Sequence, residues 1–166
     1  MVLIGMPGSG KSTIGLLLSK KLNMQFIDMD EYIENYENKT IQEMFDISEE
    51  YFRDVETRVS AILGKLNSTV IATGGGIVKK KENIDFLKEN SIIVFINRPV
   101  EYIIKEIDTS IRPLLKDDKE KIFTLYKERI DLYNRSSDLE IINKVSLTDV
   151  VNIIIERVKS FENKCY

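Results

Sequence analysis

Nine consecutive residues near the amino end constrain this chain more than any others. Gly5-Met6-Pro7-Gly8-Ser9-Gly10-Lys11-Ser12-Thr13 follows directly on an apolar run over 1–4. Beyond it, Ile14, Leu17, Leu18 and Leu22 recur at i, i+3, i+4 and i+8, which predicts one apolar face of a helix. A glycine loop between a strand and an amphipathic helix, ending in Gly-Lys-Ser, fits G-x-x-x-x-G-K-[ST] in the context that pattern requires. Glycines let backbone N–H groups turn inward around phosphate oxygens, and the helix amino end adds a favourable dipole. Lys11 is then placed to reach the β- and γ-phosphates of ATP, and the Ser12 hydroxyl to ligate Mg²⁺. Gly8, Ser9, Gly10 and Thr13 complete the expected nucleotide contacts. A glycine-rich turn without a ligand is the alternative reading.

Short apolar runs then alternate with longer periodic segments, the signature of a parallel α/β sheet. Strands are predicted over 1–4, 25–28, 69–72, 92–96 and 139–142. Further helices are predicted over 31–37, 49–65, 81–88, 100–107, 120–134 and 148–161, with Asp30 and Ser48 able to cap two of the starts. Neither repeats nor a proline-rich linker divide the chain, and 166 residues suit one domain over 1–166.

Charge and composition remove several function classes. The net charge of −3 implies no broad basic surface, so nucleic acid is not an expected partner. Apolar runs over 91–96 and 150–155 are far too short to span a bilayer, and no secretory leader is read at the amino end. The single cysteine, Cys165, fits a reducing cytoplasm. With no histidine in the chain, His-based triads, His–metal sites and imidazole bases are excluded. Acid–base work falls to carboxylates, lysine, tyrosine or water.

Asp28-Met29-Asp30 closes the second strand, and strand alternation would send both carboxylates to the same side. A polar strand end with a helix cap at Asp30 reads equally well. Thr73-Gly74-Gly75-Gly76 follows the third strand, where three glycines allow a ligand close to the backbone. Arg53 and Glu56 at i, i+3 also fit an ordinary exposed pair, Arg129 a solvated charged run, Arg112 before Pro113 a plain loop, and Phe45 and Phe52 core aromatics.

Taken in order, these residues resemble the shikimate kinases, a branch of the nucleoside monophosphate kinase group. The matches are the phosphate loop, Asp28-Met29-Asp30, Phe52-Arg53 with Glu56, Gly74-Gly75-Gly76, and Arg112-Pro113-Leu114-Leu115 followed by Arg129 and Leu132-Tyr133. The resemblance implies a three-layer α/β/α fold with a five-stranded parallel sheet in order 2-3-1-4-5. It implies a shikimate-binding helical region over about 30–60 and a lid over about 109–122. It also implies ATP-dependent phosphorylation of a shikimate hydroxyl, a step of chorismate biosynthesis, by a cytoplasmic monomer. Asp30 would hold and deprotonate the acceptor hydroxyl, and Asp28 would reach Mg²⁺ through water beside Ser12. Arg53 and Arg129 would clasp the substrate carboxylate, Glu56 orienting Arg53. Gly75 and Gly76 would offer N–H groups, Phe45 and Phe52 would wall the ring, and Arg112 would reach over the transferring phosphate.

Physical chemistry supports the assignment independently. Two guanidinium forks suit a ring carboxylate, and phosphoryl transfer asks mainly for charge stabilisation and positioning. A gluconate kinase would need no such arginine pair, and a non-catalytic relative would be expected to lose Lys11, Asp30 or an arginine. Departures from the family pattern fall at Lys105, where an arginine commonly lies against the adenine, and at Ser48 and Asp131.

Overall fold

The computed structural model describes residues 1–106 and 119–163. Arg112, Cys165 and most of the expected lid, 109–118, lie outside the described residues. Five parallel strands form one sheet in the order β2-β3-β1-β4-β5, as the family pattern implied. They are β1 (Val2–Ile4), β2 (Gln25–Asp28), β3 (Thr69–Ala72), β4 (Ile93–Asn97) and β5 (Leu139–Ile142). Around them run α1 (Lys11–Leu22), α2 (Met29–Glu37), α3 (Ile41–Ile47), α4 (Glu49–Leu63), α5 (Lys81–Lys88), α6 (Val100–Glu106), α7 (Lys119–Ser136) and α8 (Leu147–Glu162). A single 3-10 turn covers Ile77–Lys79.

Strand periodicity divides the core in two. Val2, Ile4, Ile71, Ile93 and Phe95 face one side, where Met29, Ile33, Val55, Val59, Leu87 and Tyr133 cover them from α2, α4, α5 and α7. Leu3, Val70, Val94 and Ile96 face the other, where Ile14 and Leu18 of α1 meet Val150, Val151 and Ile154 of α8. Central β1 is therefore apolar at every position, as a strand covered on both faces must be. Edge strand β5 buries Leu139 and Ile141 and exposes Glu140 and Ile142.

Local chemistry explains most boundaries, and four expectations need correction. The buried face of α1 is Lys11, Ile14, Gly15, Leu18 and Ser19, whereas Leu17 is exposed. The helix lies so close to β2 that a Cβ on Gly15 would stand 2.7 Å from the Phe26 ring, so small residues face the sheet. The start of α2 is capped by Asp28, whose side chain accepts from Asp30 N at 3.1 Å, and Asp30 already lies in the first turn. Strand alternation therefore does not bring the two carboxylates together; the strand-to-helix corner does. Finally, the predicted helices do not include α3, although Thr40 and Glu43 form a complete capping box before it. Ser48 caps α4 as expected, accepting from Tyr51 N at 3.0 Å. No helix among the described residues is long and apolar enough to cross a membrane.

Candidate active site

The phosphate loop joins the carboxyl end of β1 to the amino end of α1, where the first helical N–H groups have no partner within the helix. Gly8 and Gly10 take φ of 77° and 93°, the left-handed region that glycine occupies without strain. Pro7 and Gly8 are the exposed residues of the loop. Ser9 is fully buried beneath it, its N–H donating to the Met6 carbonyl at 3.1 Å and its own carbonyl accepting from Asn143 Nδ2 at 2.9 Å. Lys11 folds over the loop, donating through Nζ to the carbonyls of Gly5 and Met6 at 3.0 and 2.9 Å. Burial pulls its ammonium down to about 8, while Asp30 and then Asp28 pull it back up.

Beside the helix start, Ser12 Oγ donates to Asp28 Oδ2 at 2.6 Å. One residue pair further on, the Asp30 carboxylate rests against Gly74. Its carboxyl is raised above the ordinary value by burial first and Asp28 second, with Lys11 opposing. Asp28 thus serves two functions, capping α2 through one oxygen and holding Ser12 through the other.

The glycine triplet explains how these pieces meet. A Cβ on Gly74 would lie 2.7 Å from Asp30 Oδ1, one on Gly75 2.6 Å from Pro7 Cδ, and one on Gly76 2.5 Å from both Arg53 Nη atoms. None of the three adopts a positive φ. They are glycines for space, and what comes close is the acid, the phosphate loop and an arginine.

Arg53 projects from α4 with its guanidinium held on several sides. Nη1 donates to Glu56 Oε2 at 2.7 Å, and Nε to Glu49 Oε1 at 3.3 Å. Glu56 is only 1% exposed, and burial raises its carboxyl despite the neighbouring Arg53. The exposed-pair reading of Arg53 and Glu56 is thereby corrected. Phe45 and Phe52 stack with centroids 4.7 Å apart, and the Arg53 guanidinium carbon stands 4.9 Å from the Phe52 centroid. Phe52 belongs to the core, while Phe45 is 38% exposed. Across the triplet, Arg129 Nη1 on α7 donates to the Gly75 carbonyl at 3.1 Å. The structure brings Asp30, Arg53, Gly75, Gly76, Arg129 and the phosphate loop into one site.

Sequence reasoning gave no role to several contributors, among them Tyr133 of the matched Leu132-Tyr133 pair. The Tyr133 hydroxyl donates to the same Gly75 carbonyl at 2.6 Å, and its buried ring stacks on Phe95 with centroids 5.0 Å apart. Burial pushes this phenol up to about 12, so it remains a donor at physiological pH. A cavity of about 470 Å³ adjoins the phosphate loop, lined by Gly8, Gly10, Thr13, Arg98, Asn143, Val145 and Leu147. Exposed Val145 and Leu147 just beyond the carboxyl end of β5 were the available signal, because ligands gather at that end of such sheets. Lys105 is exposed on α6, its Nζ 6.0 Å from the Tyr102 centroid, and does not line that cavity. A larger cavity of about 830 Å³ opens at the amino ends of the strands, away from all these motifs.

Comparison with known proteins agrees with this geometry. The family model described as Shikimate kinase matches residues 7–159. The chain is 53% identical over 152 residues to a shikimate kinase of Clostridium botulinum (strain Alaska E43 / Type E3), covering 92% of each. It is 52% identical over 156 residues to one of Clostridium beijerinckii, covering 94% of this chain and 92% of that one. Among solved structures, shikimate kinase from Acinetobacter baumannii in complex with shikimate superposes with a TM-score of 0.87 at 33% identity, over 96% of this chain and 92% of that chain. Half identity along nearly the whole length, on a backbone that superposes so closely, places this chain in the shikimate kinase family.

Proposed function

We propose that this chain transfers the γ-phosphoryl group of ATP to a hydroxyl of shikimate, giving shikimate 3-phosphate and ADP on the route to chorismate. One observation carries the reading: an acid, the phosphate loop and two arginines from different helices converge on the backbone of Gly74, Gly75 and Gly76. In this reading Asp30 meets the acceptor at its hydroxyl and the two arginines meet it at its carboxylate, all on the acceptor side of the phosphate loop.

In this reading Gly8, Gly10, Lys11, Ser12 and Thr13 hold the phosphates, Ser9 supporting the loop from below. The purine lies toward the cavity lined by Val145 and Leu147, and the place of Lys105 near the adenine rests on the family pattern alone. Arg53 and Arg129 bind the shikimate carboxylate, each through charge-assisted hydrogen bonds. Phe45 and Phe52 wall the ring. Ser12 and Asp28 offer a hydroxyl and a carboxylate, hard oxygen donors of the kind Mg²⁺ takes. Ser12, and Asp28 through water, would hold Mg²⁺, which would supply neutralisation of phosphate charge.

The acceptor hydroxyl oxygen bonds to the γ-phosphorus as the bond to the β,γ-bridging oxygen breaks. The electron pair leaves with ADP, and the hydroxyl proton passes to Asp30. A carboxylate raised by burial is more basic than an ordinary one, which suits this task. Lys11 stabilises charge on the transferring group. Arg112 lies outside the described residues, and its part over that group rests on the pattern Arg112-Pro113-Leu114-Leu115. The reading takes the enzyme as a cytoplasmic monomer of one domain, with helices of the region 30–60 binding the acceptor and the lid falling over 109–122.

Coupled measurement of ADP release tests the proposal. ATP with shikimate should give rapid turnover, and ATP with gluconate or with no acceptor only background. Equal ADP release in all three would refute it.

A further inference from the structure

Asn83 lies on α5, outside every motif read from the sequence, yet it is completely buried. A buried amide left without partners costs free energy, so its contacts carry meaning. Its Oδ1 accepts from Thr57 Oγ1 at 2.7 Å. Its Nδ2 donates to Glu56 Oε2 and to the Ile77 carbonyl, each at 3.4 Å. Glu56 and Thr57 stand on α4, four residues or fewer from Arg53, while Ile77 opens the 3-10 turn directly after Gly76. One amide therefore bridges the two stretches of chain that carry Arg53 and Gly76.

The consequence lies at the guanidinium. Glu56 Oε2, the oxygen bonded to Asn83, is also the one that accepts from Arg53 Nη1 at 2.7 Å. On its other side Arg53 rests on Gly76 with no room for a methyl group. The guanidinium is located by these two surfaces, and Asn83 connects them. An apolar side chain at 83 would fill the volume but leave Glu56 with one partner fewer and the spacing of α4 to the turn unset.

We propose that Asn83 is a positioning residue for the acceptor clamp, setting Arg53 against the Gly76 backbone through Glu56 and the Ile77 carbonyl without touching the acceptor. The inference rests on the proposed function, in which Arg53 binds the acceptor carboxylate.

Replacement by aspartate turns the contact into a titration. Glu56 faces Arg53 on its own helix, and also senses Asp30 and Lys80; Lys80 is paired with Asp54. Asn83→Asp keeps the shape and the acceptor for Thr57. While protonated, the new carboxyl still donates to Glu56 or to the Ile77 carbonyl. Once ionised it confronts the Glu56 carboxylate with no proton between them, and burial beside that charge holds its pKa well above the ordinary value.

Calorimetric titration of shikimate from pH 5.5 to 8.5 into the native chain, Asn83→Ala, Asn83→Asp and Arg53→Ala tests the inference, with Mg-ADP binding and thermal melting measured alongside. Asn83→Ala should bind shikimate about tenfold more weakly throughout, and ADP within about twofold of native. Asn83→Asp should bind within about threefold of native at the acid end and at least about tenfold more weakly at the alkaline end. Native-like shikimate binding by folded Asn83→Ala, or a pH-independent Kd ratio in Asn83→Asp, overturns the inference. So does a parallel loss of ADP binding, or failure of both variants to fold, since Asn83 would then hold the core and not the clamp. The Arg53 arm separates the two readings: native affinity in Arg53→Ala sinks the clamp itself, whereas weakened binding there with unaffected Asn83 variants sinks only the role of Asn83.

Discussion

Nucleotide binding at alkaline pH should draw a proton from solution onto Lys11. Its side chain is buried against the loop carbonyls of Gly5 and Met6, and that burial brings its pKa down to about 8. With a free-state pKa of about 8, roughly three-quarters of the molecules carry a neutral amine at pH 8.5, and roughly one-tenth at pH 7. Phosphate oxygens at contact distance favour the ammonium and should return its pKa above about 10. Binding a non-hydrolysable ATP analogue should therefore take up about 0.7 proton at pH 8.5 and about 0.1 at pH 7. Calorimetry in two buffers of different ionisation enthalpy measures this directly, because observed heat against buffer enthalpy has the proton count as its slope. Saturating Mg²⁺ keeps the nucleotide phosphates largely ionised at pH 8.5 both free and bound, so they contribute little there. Lys11→Arg supplies the control, since a guanidinium stays charged throughout. A slope below about 0.2 at pH 8.5, or the same slope in Lys11→Arg, would refute the reasoning. Linkage also sets the sign for stability without nucleotide. The folded pKa lies below the unfolded one, so between about 8 and 10.5 the folded state holds fewer protons and stability rises with pH. Below that window the cost of burying the ammonium is fully present.

The remaining predictions concern the acid, the clamp and the base pocket. Asp30→Asn should lower kcat by at least about 100-fold while ATP affinity stays within about twofold, and turnover within about threefold of native would remove Asp30 from proton transfer. In the native enzyme the acid limb of the pH–rate profile should lie above that of an ordinary aspartate, because burial raises Asp30 and the protonated form cannot accept the hydroxyl proton. Arg129→Ala should weaken shikimate binding by about 2–4 kcal/mol with ATP binding unchanged, Tyr133 still holding the Gly75 carbonyl; equal affinity in calorimetry would make Arg129 a surface charge. Gly76→Ala places a carbon 2.5 Å from both Arg53 Nη atoms. Contact distances of about 3.5 Å then require a shift of about 1 Å, and shikimate KM should rise at least about tenfold. An unchanged KM would show that the guanidinium has room to move. Lys105→Arg should tighten ADP binding about two- to fivefold through stacking that an ammonium lacks; equal or weaker binding would place position 105 away from the adenine.

What the sequence determined by itself is the local chemistry. The phosphate loop, the cap at Ser48, and the strand and helix periods are written within a few residues of where they act, because backbone conformation answers to near neighbours. The family pattern added the sheet order and the identity of Asp30, Arg53 and Arg129. Other features required the folded chain. No periodicity told that Gly74, Gly75 and Gly76 would each receive a different side chain, or that Asp28 and not Asp30 would cap α2. Nor did it mark Tyr133, whose hydroxyl finds a carbonyl 58 residues earlier, or Asn83, whose partners on α4 lie 26 and 27 residues away. On its own helix Asn83 reads as one more polar residue. Its meaning depends on which elements the sheet order sets side by side, and burial there obliges every polar atom to find a partner that only the tertiary structure can supply.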